Sequence, residues 1–216
     1  RSAYLAYQTL TAKTEAVSQT LKMLQRRDEV IRTYLTALRM RLTEAKGFSD
    51  DERTTLYLKL DNEVNWYQKH RNRLTSAGDL DDLLKTSKET EKEYGNSRAL
   101  AYQTLGMILT GKETLLRERL RREIKKIKEK IELIRQSGDK DTAVVERWLL
   151  EAENKLTRSE EKEAEAQQKL ETIEKKKTDS QKVYNEFRLL DYESHLYLKD
   201  ANAYLKELIK EIKHAA

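Results

Sequence analysis

Apolar residues recur at alternating steps of four and three along the first forty residues of the chain. This spacing averages 3.5 residues and predicts a helix that turns one apolar stripe towards a partner helix. The stripe contains Leu10, Val17, Leu21, Leu24, Ile31, Leu35, Leu38 and Leu42. Asp28 interrupts it, and two interpretations are open. Either Asp28 lies at a solvated edge beside Arg27 or Arg32, or it is a polar group that sets the helix register.

Two glycine-containing segments predict where the first and second long helices end. Gly47 suits the left-handed C-cap of a helix, and Ser49 and Glu52 after it have the spacing of a capping box. Gly138 lies in a second break at 137–139, which predicts another hairpin. We therefore expect three long antiparallel helices, at 2–46, 50–136 and 140–215.

The segment 76–79, Ser-Ala-Gly-Asp, interrupts the second of these helices. Gly78 disfavours a helix interior by about 1 kcal/mol, and Asp79 can cap a new helix. The segment is either a kink in an elongated meander or a full reversal that gives spectrin-like three-helix bundles with shared continuous helices. The second unit has EAEAQQ, at 163–168, where the first has TSAGDL, and this copy contains no helix breaker, which favours the meander.

The hexamer LAYQTL occurs at 5–10 and again at 100–105. The spacing of Tyr94, Arg98, Leu100 and Tyr102 also reappears, in Tyr184, Arg188, Leu190 and Tyr192. We interpret this as duplication of a helical-hairpin unit, the alternative being chance similarity between heptad sequences. The predicted units are a first repeat at 1–95, a second at 96–187, and the start of a third at 188–216 that packs back on the bundle.

Composition supports long helices with few loops. Of the 216 residues, 38% are charged, none is proline or cysteine, and only six are glycine. The absence of cysteine excludes disulfides and thiolate metal sites. The predicted fold class is all-α: an elongated antiparallel coiled coil or three-helix bundle built from a duplicated helical-hairpin unit.

A search for chemistry-bearing motifs indicates a protein that is not an enzyme. The sequence contains no glycine-rich phosphate loop, no His-Glu-x-x-His pattern and no calcium loop. The histidines His70, His195 and His214 have no second histidine one helical turn away, and we expect them to be exposed. We therefore predict no catalytic residue, no cofactor and no metal site.

Tyrosine is unusually common, with eleven tyrosines against two phenylalanines. One interpretation is packing in a narrow bundle, because tyrosine can bury its ring and keep its hydroxyl in water. The other is a surface that binds a partner. The residues proposed for that surface are Tyr7, Tyr94, Tyr102 and Tyr184.

The segment 117–130 holds eight basic and three acidic residues, and its net charge of +5 equals that of the whole chain. One interpretation is attraction to a polyanion. The residues proposed for anion binding are Arg117, Arg119, Arg121, Arg122, Lys125 and Lys126. The other interpretation, which we favour, is a solvated face neutralised by acidic residues of the adjacent helix.

The segment 73–80, Arg-Leu-Thr-Ser-Ala-Gly-Asp-Leu, is followed by Leu83, Leu84, Tyr94 and Leu100. This arrangement resembles a pattern in secreted bacterial helical-repeat proteins whose activity is not known, except that no proline follows the tyrosines here. The resemblance implies an extracytoplasmic location and a scaffold role.

From these observations we expect a non-enzymatic spacer or scaffold that mediates protein–protein interaction, with self-association as one form of it. The alternative function is a module that binds an anionic surface or polymer through 117–130. Membrane headgroups, a cell-wall polymer and nucleic acid are the candidate ligands of that module.

Overall fold

A computed structural model describes residues 9–137 and 142–215, and these residues are almost entirely helical. No strand occurs among them, so the all-α prediction is confirmed. Tyr7 and Gly138 lie outside the described residues. The helices are α1 (Leu10–Glu44), α2 (Asp50–Thr75), α3 (Leu80–Ser137), α4 (Ala143–Lys175) and α5 (Ser180–Ala215), and a 3₁₀ turn at Lys177–Asp179 precedes α5.

The predicted capping box at the start of α2 is confirmed. The backbone N–H of Glu52 donates to Ser49 Oγ at 3.2 Å, and the backbone N–H of Ser49 donates to Glu52 Oε2 at 2.9 Å. Gly47 has a φ of 94°, a conformation that glycine adopts without a Cβ clash. The local sequence therefore determines how α1 ends and α2 begins.

Segment 76–79 is a full reversal, so the favoured interpretation of a kink in a meander is wrong. The hydroxyl of Tyr67 on α2 lies 3.0 Å from that of Ser97 on α3, and Arg73 forms an ion pair with Glu89 at 2.9 Å. These pairings place the first part of α3 antiparallel to α2. The reversal packs Leu83 against Leu24 of α1 and Leu74 of α2. A kinked helix would leave this apolar cluster exposed to water.

A second reversal lies at 176–179, where we expected one continuous helix over 140–215; that expectation is wrong. Lys176 leaves the helical conformation with φ −115° and ψ 54°, and α5 begins at Ser180. Lys169 of α4 pairs with Glu186 of α5 at 2.8 Å, and Lys155 pairs with Asp200 at 3.0 Å, which shows that the two helices run antiparallel. This reversal lies 100 residues after the first one. The segment 163–168, which contains no helix breaker, is therefore not the counterpart of 76–79.

The chain divides into two compact units, each made of three helices. The first comprises residues 1–44 and 49–104, with α1, α2 and α3 up to Thr104; the second comprises 45–48 and 105–216, with the rest of α3, α4 and α5. Leu24, Leu74 and Leu83 form a core cluster in the first unit. The core of the second unit contains Leu120, Ile124, Ile127, Ile131, Leu149, Ala152, Leu156, Leu198, Ala201, Leu205, Leu208 and Ile212.

The three helices of each unit match the spectrin-like alternative within that unit. The sequence repeats at 1–95, 96–187 and 188–216 stay a prediction, because they rest on sequence similarity alone. The third of these segments forms most of α5, which is the third helix of the second unit.

Two glycines in α3 allow close packing within the second unit. A Cβ on Gly111 would lie 2.3 Å from the carbonyl oxygen of Lys46 and 2.9 Å from the ring of Phe48. A Cβ on Gly106 would lie 2.2 Å from a methyl carbon of Leu170 on α4. Segment 45–48 therefore packs directly on the backbone of α3 at Gly111.

We predict opposite effects of alanine at Gly111 and Gly95. Gly111→Ala should lower the free energy of unfolding by about 1–3 kcal/mol, because the backbone of Lys46 must move away. Gly95→Ala is the matched control, since nothing lies within 4 Å of its added Cβ. It should raise the free energy of unfolding by about 0.5–1 kcal/mol through helix propensity. Urea denaturation followed by circular dichroism measures both, and equal effects at the two sites would contradict the packing described.

Candidate functional site

The first unit contains a buried pair of titratable residues on two helices. His70 Nδ1 of α2 lies 2.5 Å from Asp28 Oδ2 of α1, and both side chains have no exposed surface. Asp28 occupies the same helical stripe as Leu24 and Leu35, and the stripe faces inward. The expectation of an exposed His70 and the interpretation of Asp28 at a solvated edge are both wrong. The register-setting interpretation of Asp28 remains a hypothesis.

The second ring nitrogen of His70 also faces an acceptor. Nε2 lies 2.9 Å from the carbonyl oxygen of Thr86, which can only accept, so Nε2 carries a proton. One further proton lies between Nδ1 and the carboxylate of Asp28, whichever atom holds it. The pair is therefore a closed hydrogen-bonded link between α1, α2 and α3.

Thr90 gives this cluster the order hydroxyl, imidazole and carboxylate that hydrolase triads use. Thr90 Oγ1 lies 3.1 Å from His70 Nε2. In a triad that nitrogen must accept the hydroxyl proton, but here it already carries a proton directed at Thr86. Thr90 is also only 1% exposed, so a substrate cannot reach its hydroxyl. The geometry supports a structural network rather than nucleophilic catalysis.

Aromatic side chains extend this network across α2. The ring of Trp66 stacks on the imidazole of His70 with centroids 4.8 Å apart. The hydroxyl of Tyr67 donates to Ser97 Oγ, which in turn donates to Glu63 Oε2 at 2.6 Å. Burial raises the pKa of Tyr67, with the neighbouring Glu63 charge acting in the same direction. Tyr67 therefore stays a neutral donor in the unit interior.

Arg117 occupies the corresponding interior position in the second unit and is only 4% exposed. Its Nη1 donates to Glu163 of α4, and its Nη2 donates to Ser159 Oγ at 3.0 Å. Ser194 of α5 closes the cluster by donating to the carbonyl oxygen of Ser159 at 3.0 Å. The structure thus differs from the expectation of an anion-binding Arg117, because its guanidinium is enclosed and its charge is balanced internally.

The other proposed anion-binding residues, Arg119, Arg121, Arg122, Lys125 and Lys126, are exposed on α3. Two of them have acidic partners: Arg121 pairs with Glu160 of α4, and Lys126 with Glu123 at 3.2 Å. Within residues 9–137 and 142–215, no carboxylate lies within 4.0 Å of a charged nitrogen of the remaining three. The basic segment is therefore neutralised along its α4 side and uncompensated on its outer side.

Acidic residues gather beside Arg117 at the α3–α5 contact. Burial, followed by the negative charge of Glu113, raises the pKa of Asp191 to about 6. The positive charge of His195 opposes this shift, and Nδ1 of His195 lies 3.1 Å from Glu113 Oε1. Among the described residues, no group of three or more histidines and carboxylates has the arrangement of a metal site.

The predicted tyrosines separate between the two units. Tyr94 and Tyr102 lie on the first part of α3, in the first unit. Tyr34 of α1, which was not predicted as a site residue, belongs to the same unit. Burial raises the pKa of Tyr34, and electrostatic interaction with Tyr102 and Tyr94 acts in the same direction. Tyr184 belongs to the second unit, where its partly buried ring stacks on Phe187 with centroids 5.8 Å apart.

No protein-family model, curated protein or solved structure matches the chain. In the part of the chain that the structure describes, no helix has an apolar stretch long enough to cross a bilayer. The geometry of the residues therefore carries the functional argument by itself.

We predict strong coupling between Asp28 and His70. Asp28→Leu or His70→Leu alone should lower the free energy of unfolding by about 3–5 kcal/mol, because each leaves a buried polar partner unpaired. The double variant should regain most of the loss, since both polar groups are gone. A double-mutant cycle from urea denaturation measures the coupling. The exposed pair Arg41 and Glu44, each changed to Ala, is the control and should couple by less than about 0.5 kcal/mol. Additive losses at Asp28 and His70 would show that the pair is not a unit.

We also predict that Asp191 makes stability depend on pH. Because its folded-state pKa is raised to about 6, the native state binds the proton more tightly, and stability falls as pH rises from about 4 to 6. Asp191→Asn should therefore stabilise the protein at pH 7 by about 1 kcal/mol, allowing for solvent at this half-buried site. The gain should disappear at pH 4. Thermal unfolding at both pH values measures it, with the exposed Asp200→Asn as control; a gain independent of pH would contradict the assignment.

Proposed function

We propose that this chain is a non-enzymatic helical scaffold that binds protein partners through apolar side chains on the outer faces of its two units. The observation that carries the proposal is a set of large apolar residues that are exposed at helical spacing. Contiguous apolar surface of this kind is typical of interaction sites.

Helix α5 shows the pattern in the second unit. Leu189, Tyr192 and Leu196 are 67%, 59% and 39% exposed and follow one another at steps of three and four, so they share one face. The residues with which α5 enters the core, such as Leu198 and Leu205, lie on the opposite face. The exposed stripe is therefore additional to the one that holds the bundle together.

The hydrogen bonding and burial of the titratable groups support a scaffold over an enzyme. His70 is hydrogen-bonded to Asp28, and Arg117 to Glu163. Each pair lies inside a three-helix core, where it links helices and has little contact with solvent. Their geometry serves helix alignment, which a scaffold needs.

A second candidate function, binding of a polyanion, is favoured by one observation. Arg119, Arg122 and Lys125 are exposed at steps of three on α3, and no carboxylate of the described residues pairs with them. Three uncompensated cations on one helix face attract phosphate or sulfate polymers electrostatically. The acidic partners of Arg121 and Lys128 on α4 weaken that field, which makes this the lesser candidate.

The scaffold proposal predicts position-specific cross-linking in the native cell. A photoreactive benzoylphenylalanine at Tyr192 or Val30 should give discrete protein adducts, because both side chains are exposed on apolar stripes. The same group at Gln168, an exposed polar position on α4, is the control and should give at most weak labelling. Mass spectrometry of the adducts measures the outcome.

Two results would contradict the scaffold proposal. One is equal labelling at Gln168 and at the stripe positions. The other is a combined result for the triple variant Arg119→Glu, Arg122→Glu and Lys125→Glu. The unchanged chain would be retained on heparin, and the triple variant would lose both this retention and all cross-linked adducts. Lys199→Glu, Lys206→Glu and Lys213→Glu give a control with the same charge change on exposed positions of α5.

A further inference from the structure

Helices α1 and α3 lie side by side in the first unit and leave a groove on their outer side. Arg27 Nη1 of α1 donates to Ser87 Oγ of α3 at 3.2 Å, which fixes the two helices at one level. Tyr34 of α1 and Tyr94 of α3 each follow these two residues by seven positions, so they lie at one level two helical turns further on. The chain therefore runs in the same direction in both walls of the groove.

Large apolar side chains line both walls. Met23, Val30 and Tyr34 on α1 are 60%, 68% and 48% exposed, and Leu84 and Tyr94 on α3 are 39% and 48% exposed. The α1 residues are spaced by seven and four, the spacing of a second heptad stripe beside the buried one. From Met23 to Tyr34 the groove extends about 16 Å, which matches three turns of a helix.

The charges around this groove are mostly positive. Arg26 lies between Met23 and Val30 on the same face of α1, and Lys88 follows Leu84 by one turn on α3. Among the described residues, neither has a carboxylate within 4.0 Å. Arg27 and Arg98 are further cations here, although Arg27 pairs with the buried Asp28 at 3.7 Å; the guanidinium of Arg98 lies 5.8 Å from the centroid of the Tyr94 ring. Asp81 and Glu91 are acidic residues on this face of α3, one turn before Leu84 and two turns after it.

We infer that this groove binds an amphipathic helix of a partner protein, with acidic residues on either side of the partner's apolar stripe. The inference rests on the proposed scaffold function and specifies the partner. The apolar side chains of the partner pack between Val30, Tyr34 and Tyr94, as in helix-in-groove recognition. Its carboxylates lie beside Arg26 and Lys88, which selects acidic over basic helices.

The test uses the full chain and two synthetic probes. The first is a fluorescein-labelled 21-residue helical peptide, a length of about three heptads, with leucine and alanine on one stripe and glutamate beside it. The second has lysine in place of every glutamate. Fluorescence anisotropy at low salt should give at least tenfold tighter binding of the glutamate peptide. Raising the salt concentration should weaken that binding, because the selecting charges are exposed.

Two variants with the same chemistry locate the binding surface. Val30→Glu with Tyr34→Glu should weaken the glutamate peptide at least tenfold and strengthen the lysine peptide. Met40→Glu with Leu58→Glu, at exposed apolar positions outside the groove, should leave both affinities unchanged. Both changes replace exposed side chains, and circular dichroism melts verify that the variants remain folded.

Several outcomes would overturn the inference. They are no binding of the glutamate peptide at millimolar concentration, equal binding of the two peptides, and equal loss in the two variants. A dimer of the chain in sedimentation velocity that the groove variant alone dissociates would assign the groove to a second copy instead. If the photoreactive group at Tyr192 still gave discrete protein adducts in any of these cases, the scaffold proposal would hold. Failure of the groove inference is therefore distinguishable from failure of the scaffold proposal.

Discussion

Burial of one hydrogen-bonded pair of ionisable side chains inside each three-helix unit constrains the rest of the structure. A bundle held by leucine and isoleucine alone can slide by one heptad at small cost, because every apolar side chain finds another apolar neighbour. Asp28 finds His70 in one alignment, and Arg117 finds Glu163 in one alignment. Because a mismatch would leave a buried polar group unpaired, the two pairs support the hypothesis that buried polar side chains set the register. The register in turn decides which side chains remain outside, including the groove between α1 and α3.

Sequence reasoning predicted the helical fold class and the Gly47 hairpin, but it favoured a kink over the reversal at 76–79 and missed the reversal at 176–179. Helix propensity, apolar spacing and the capping box at Ser49 are local features, and they appear in a single sequence. The reversal at 176–179 contains no glycine or proline, and the residue types that favour an N-cap, in Thr178, Asp179 and Ser180, directly follow a run of lysines without an apolar break. That turn forms because α5 buries its apolar face on α3 and α4, and this gain depends on residues distant in the chain.

The interior polar residues show a similar limit. Nothing near Asp28 in the sequence points to His70, which lies 42 residues away. A usable signal was nevertheless present. Asp28 lies seven residues before Leu35, and Arg117 lies seven before Ile124, so each occupies an inward heptad position. Among the eight basic residues of 117–130, only this position in the heptad distinguishes Arg117 from its exposed neighbours.

The stacking of Trp66 on His70 gives the first unit its own spectroscopic reporter. The chain has two tryptophans, and the other, Trp148, lies in the second unit beside Tyr204 with ring centroids 5.5 Å apart. Each three-helix unit therefore carries one tryptophan, and the two lie in different aromatic environments. Emission from a chain that retains only one indole reports the melting of one unit, so the order in which the two lose their structure is directly observable.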